Sequence, residues 1–270
     1  MTTELWGIDF SSAPTRRKPI VVARGQWAGA ALRLQGLDAR ATHAAFESLL
    51  TEPGPWLGAF DFPFGLPRVF VESLQLGEHA AGVIRELHRR CPRRMDFRAL
   101  VDGWGLTRPA GQRLVHRATD ATLPGIRSTS PLQTRYVPVG FMYYEGLSRL
   151  IASGAHLPGL HAGDAGRVAL EGYPALLAHE LIGRRSYKND ASAERLLARK
   201  EIVEALEQGR TRLGLRLKLT PAQAGELVAD ASGDRLDAVL CLMQAAWAAG
   251  QPRFGQPVDV DGVEGWITTA

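Results

Sequence analysis

The chain has 270 residues, 45% of them hydrophobic and 22% charged, with a net charge of +4 and a pI near 9.3. This is the composition of an ordinary globular protein, long enough for one large domain or a core with a sizeable insertion. No apolar run reaches the roughly 18 to 20 residues of a membrane span. The opening "MTTELWGIDF" has neither the basic region nor the long apolar core of a secretory signal, and Cys91 and Cys241 lack metal-ligand spacing, so a cytoplasmic protein with free thiols and no membrane partner is expected.

Three strands are predicted first: "ELWGIDF", "KPIVVARGQW" and "AALRLQGL", joined near Thr15–Pro19 and Ala28–Gly29. A helix follows from about Thr42, a plausible N-cap, to Leu50, where "PGP" stops it. "WLGAFDF" is a short continuous apolar run, as a strand buried on both faces requires, and it breaks at "PFGLP". Residues 66–165 abandon this alternation. A helix over about 69–90, an arginine-rich segment, a polar stretch from Asp102 to Thr134 and a helix over about 139–153 read as a largely helical insertion or cap within a single domain. "RVALEGYP" is the fifth strand, and helices follow to Gly183, over Ser192–Gln208, after Thr220-Pro221, and through "DRLDAVLCLMQAAWAA". A short apolar pattern near Val258–Ile267 ends the chain. The expected fold is α/β, a mixed five-stranded sheet flanked by helices.

The acids carry the chemical argument. Asp9 ends the first strand, Asp61 closes the fourth, Glu171 sits in the fifth, and Asp234 and Asp237 share one face at the start of the last long helix. Asp234 reads most simply as the helix N-cap. Asp237 lies beside the apolar stripe, where a carboxylate is costly without a partner. A single strand-end aspartate is usually a turn former. Several converging carboxylates repel one another unless a cation neutralises them, and such hard oxygen donors suit Mg²⁺ or Mn²⁺. Two such ions clamp the attacking and leaving oxygens of a phosphodiester displacement. In "RELHRRCPRRMDFR", Arg89 and Arg93 belong to a cluster suited to phosphate backbones, against the bland reading of a solvated helix end. The seven histidines show no zinc spacing. Ser12 reads as a turn residue or a phosphate contact.

Five segments together resemble a known family: "GIDFSSAP" (7–14), "GAFDFPFGLP" (58–67), "SPLQTRYVPVGFMYYEGL" (130–147), "EGYPALLAHEL" (171–181) with "YKND" (187–190), and "DRLDAVLCLMQAAWAA" (234–249). They resemble the domain-of-unknown-function family 429, a group of predicted nucleases with an RNase-H-like fold. The resemblance implies metal ligands at Asp9, Asp61 and Asp237, with Asp234 or Glu171 completing the shell or orienting water. It makes Tyr173, Tyr187 and Lys188 motif residues, the tyrosines for packing and Lys188 for substrate phosphate. Arg127 and Arg135 join the phosphate-binding candidates. The expected activity is cleavage of DNA or RNA with Mg²⁺ or Mn²⁺. A non-catalytic nucleic-acid binder of the same fold is the first alternative. An actin-like or sugar-kinase phosphotransferase is weaker, because Asp9 is followed by Phe10-Ser11-Ser12 rather than a glycine-rich phosphate turn.

Overall fold

A computed structural model of the chain describes residues 3–270. Strands β1 (Glu4–Asp9), β2 (Ile20–Ala28) and β3 (Ala31–Arg40) form an antiparallel meander. Helix α1 (His43–Leu50) is capped by Thr42, whose hydroxyl accepts from the Ala45 N–H at 3.1 Å. It returns the chain to β4 (Trp56–Phe60), which runs parallel to β1. Helices α2 (Arg68–Ser73), α3 (Ala80–Arg90), α4 (Arg94–Leu106), the short α5 (Ala118–Ala121) and α6 (Val139–Ala152) come next. The two-residue β5 (Ala155–His156) and β6 (Asp164–Glu171) follow, then α7 (Pro174–Ile182), α8 (Ala193–Gln208), β7 (Arg216–Lys218), α9 (Pro221–Ala229) and α10 (Asp234–Ala249). A short 3-10 turn over Pro252–Gly255 leads into the tail.

The sheet has seven strands in the order β5-β6-β4-β1-β2-β3-β7, not the expected five. The two additions sit on the edges and are two and three residues long, too short to leave an alternation in the sequence. The single helix expected over 69–90 is two, because Gln75 and Gly77 take positive φ between them. The polar stretch from Asp102 begins inside α4, and β6 starts at Asp164, three residues before the predicted strand.

Each face of the sheet has its own core. On one side Trp6, Ile8, Phe46 and Phe60 pack with Val83 of α3, Phe97 of α4 and Leu147 of α6. The helical segment 66–165 therefore shares a hydrophobic core with the sheet. On the other side Leu5, Val21, Ala23 and Leu170 pack with α7, α8 and α10. Helix α10 is buried almost all round and lies directly on β1. At Gly7 an added Cβ would stand 2.0 Å from the Ala238 carbonyl oxygen and 2.1 Å from the Leu242 nitrogen, so only glycine allows the approach. No helix among the described residues is long and apolar enough to cross a membrane.

Candidate metal centre

Register brings the acids together. β1 and β4 run parallel with Ile8 opposite Phe60, and the Asp61 N–H donates to the Ile8 carbonyl at 2.8 Å. Asp9 and Asp61 thus leave the same edge of the sheet from neighbouring strands. Strand alternation sends residues two apart to one face, so Asp9 points with Gly7 toward α10. The first turn of α10 supplies Asp237, fully buried, from across that contact. One carboxylate oxygen from each of Asp9, Asp61 and Asp237 falls within 4.8 Å of the other two.

Glu171 does not join them. Its register partner is Phe60, and Phe60 pairs with Ile8, so its side chain points to the opposite face of the sheet. There Arg117, 1% exposed, takes both its oxygens at 2.6 and 2.8 Å, and the Phe64 N–H donates at 2.8 Å. Arg117 spends its remaining N–H groups on Asp120 and the Glu264 carbonyl. Burial works against the guanidinium charge, but Glu171 and Asp120 outweigh it and hold Arg117 cationic. Glu171 is therefore anchored at the cavity wall by Arg117 and lies outside the group formed by Asp9, Asp61 and Asp237. Asp234 is likewise not the N-cap. Gly233, at φ 80°, occupies that position, and Asp234 is the first helical residue, lining the cavity with no ion pair among the described residues.

The cavity measures about 640 Å³ and is lined by Asp9, Asp61, Asp234, Ser12, Lys18 and Lys188, among others. Burial pushes Asp9 well above the usual carboxylate range; Asp61 and Asp234 push it further, while Lys188 and Lys18 pull it back. Burial also raises Asp61, to about 6, against the pull of Lys188, with Glu171 and Asp234 adding to the rise. Asp237 is partnered: Tyr187 donates its hydroxyl at 2.5 Å and Lys188 forms an ion pair with the other oxygen. Tyr187 thus contributes more than the packing expected of it. Beneath the loop, Arg199 of α8 donates to the Tyr187 carbonyl at 2.8 Å and to those of Asp190 and Val228, fixing the backbone that presents Tyr187 and Lys188.

The donor set fits a hard divalent cation. Asp9 and Asp61 crowd their negative charge in a buried site, with Lys188 and Lys18 pulling against it at Asp9, and every ligand atom is a carboxylate oxygen. Of the predicted phosphate contacts, Ser12 and Lys188 line this cavity. Arg89, Arg93 and Arg135 do not. Helical spacing sets Arg89 beside Glu86 at 2.7 Å and Arg93 beside Asp96 at 2.8 Å, and Arg135 pairs with Asp102 at 2.5 Å. Arg127 lines a separate groove. Lys18 and Arg199 escaped the sequence reading. Arg199 left one sign, a charged residue among the apolar positions Ala198, Ile202, Val203 and Leu206, while Lys18 left none.

The family described as "protein of unknown function (DUF429)" matches residues 7–259, and the chain belongs to it. No curated protein and no solved structure matches the chain.

Proposed function

We propose that the chain is a divalent-metal-dependent nuclease on an RNase-H-like fold, hydrolysing phosphodiester bonds of DNA or RNA. The strand order β3-β2-β1-β4-β6, an antiparallel meander continued by parallel strands, supports the fold assignment, with β5 and β7 as edge additions. The observation that carries the activity is the meeting of Asp9, Asp61 and Asp237 from three separate elements at one buried point. These three would hold Mg²⁺ or Mn²⁺, which when bound activates water and offsets the charge on phosphate oxygens. Asp234 is the acid left to orient the attacking water. Ser12, Lys18 and Lys188 offer a hydroxyl and two cations to the substrate phosphate.

Labelled single-stranded, duplex and branched oligonucleotides, incubated with the protein and Mg²⁺ or Mn²⁺, test this. Cleavage should appear with metal, stop with EDTA, and fall on the order of 100-fold or more in Asp9→Asn, with the variant's thermal melt confirming its fold. Folded wild-type protein that binds Mn²⁺ yet leaves all three substrates intact would overturn the proposal.

A further inference from the structure

Beside the acid cavity lies a second groove, of about 440 Å³, between the 125–127 segment and the C-terminal end of α7. Its walls carry Arg127, Arg184, Arg185 and His179. The gap is narrow: a Cβ on Gly125 would stand 3.4 Å from His179 Nε2. The His179 ring is oriented by the Gly183 carbonyl, 3.1 Å from Nδ1.

The groove and the cavity share walls. Ala175 lines both, and Tyr187, which lines the groove, donates its hydroxyl to Asp237. One aromatic side chain separates a basic trough from the acid cluster.

Cations at a helix C-terminus ordinarily complement its dipole. Arg185 does this, donating to the Ile182 carbonyl at 3.1 Å and pairing with Glu201 at 2.7 Å. Arg184 and Arg127 do not. Both are exposed, and neither guanidinium has an ion pair or hydrogen bond among the described residues. Two uncommitted guanidiniums facing one trough, next to a site that itself repels anions, form a track for a polyanion.

We propose that this groove binds the phosphodiester backbone of the substrate to one side of the bond being cut. The inference rests on the nuclease reading and narrows it: the substrate is an oligonucleotide long enough to occupy cavity and groove together, not a mononucleotide or small phosphoester. Arg127 and Arg184 grip successive phosphates.

The test is binding of fluorescein-labelled oligonucleotides, two and twelve nucleotides long, followed by anisotropy in EDTA, so that no cleavage enters. Wild-type protein should bind the longer oligonucleotide far more tightly. The Arg127→Glu/Arg184→Glu double variant should bind it about tenfold more weakly, with the log–log salt slope reduced by about 2. The single changes Arg127→Ala and Arg184→Ala should each give part of that loss, and Arg33→Glu, exposed on distant β3, should give none. A double variant that binds like wild type, or a wild type that binds neither length, overturns the groove. Failure of the nuclease reading is a different result: metal-loaded wild type then cleaves nothing, while the charge-reversal loss in EDTA persists.

Discussion

Asp61 illustrates how much a single carboxyl reveals about its surroundings. Burial carries it to about 6 from an ordinary value of 3.8, and Glu171 and Asp234 add to the rise while Lys188 resists it. Between about pH 4 and 6 the folded chain therefore keeps a proton that the unfolded chain has already released. Metal-free stability from this group must fall as pH rises through that window, then level off above it. Thermal melts in EDTA from pH 4.5 to 7.5 should show the fall, and Asp61→Asn, which cannot ionise, should show less of it. If the two melting profiles run parallel, the crowding of charge at Asp61 is misjudged. Arg117 stands at the other extreme of residue-scale electrostatics, with every N–H of its guanidinium committed to Asp120, Glu171 or the Glu264 carbonyl. It ties the loop before α5, the end of β6 and the C-terminal tail into one piece.

At the scale of elements, the contact between β1 and α10 decides whether a site exists. Gly7 and Asp9 face the helix from the same side of the strand, so the close approach at one sets the distance available at the other. Gly7→Ala places a methyl group against helix backbone, which cannot swing aside as a flexible side chain would. The variant should lose several kcal/mol of stability by denaturant unfolding, and its folded fraction should bind Mn²⁺ more weakly by calorimetry. Undiminished Mn²⁺ binding would separate the helix position from the acid geometry. Much at this scale was legible in the sequence. The meander, β4, the Thr42 cap and the long terminal helix all carry strong local signals, and the strand-end aspartates were visible as such. Glu171 was not separable from Asp9 and Asp61, because its face depends on pairing register between strands more than a hundred residues apart, which no local pattern encodes. Arg89 and Arg93 drew notice for the opposite reason. A run of basic residues dominates the eye, while the acids Glu86 and Asp96 that neutralise them lie three positions away.

Over the whole molecule, the segment 66–165 and the sheet are bound by shared packing. Phe97 is fully buried in α4, yet it belongs to the same cluster as Trp6, Ile8 and Phe60 of the sheet. Phe97→Ala should cost roughly 3–5 kcal/mol, and the loss should reach the sheet. Unfolding followed by far-ultraviolet circular dichroism and by tryptophan fluorescence, to which the stacked Trp6–Trp56 pair of the sheet and Trp104 of α4 both contribute, should then shift together. Separate transitions would show that the helical segment melts by itself.

The ion pair between Lys188 and Asp237 gives the site a built-in monovalent occupant. Because the fold holds the ammonium against the carboxylate, its local concentration is fixed and high whatever the solution contains. Any ion entering from outside competes with it on every visit. Sodium and potassium carry no more charge than the ammonium they would displace, whereas a divalent ion carries twice as much. Under the proposed function, Lys188 would therefore weigh against monovalent ions at Asp237, one residue along the chain from the Tyr187 that lines the basic trough.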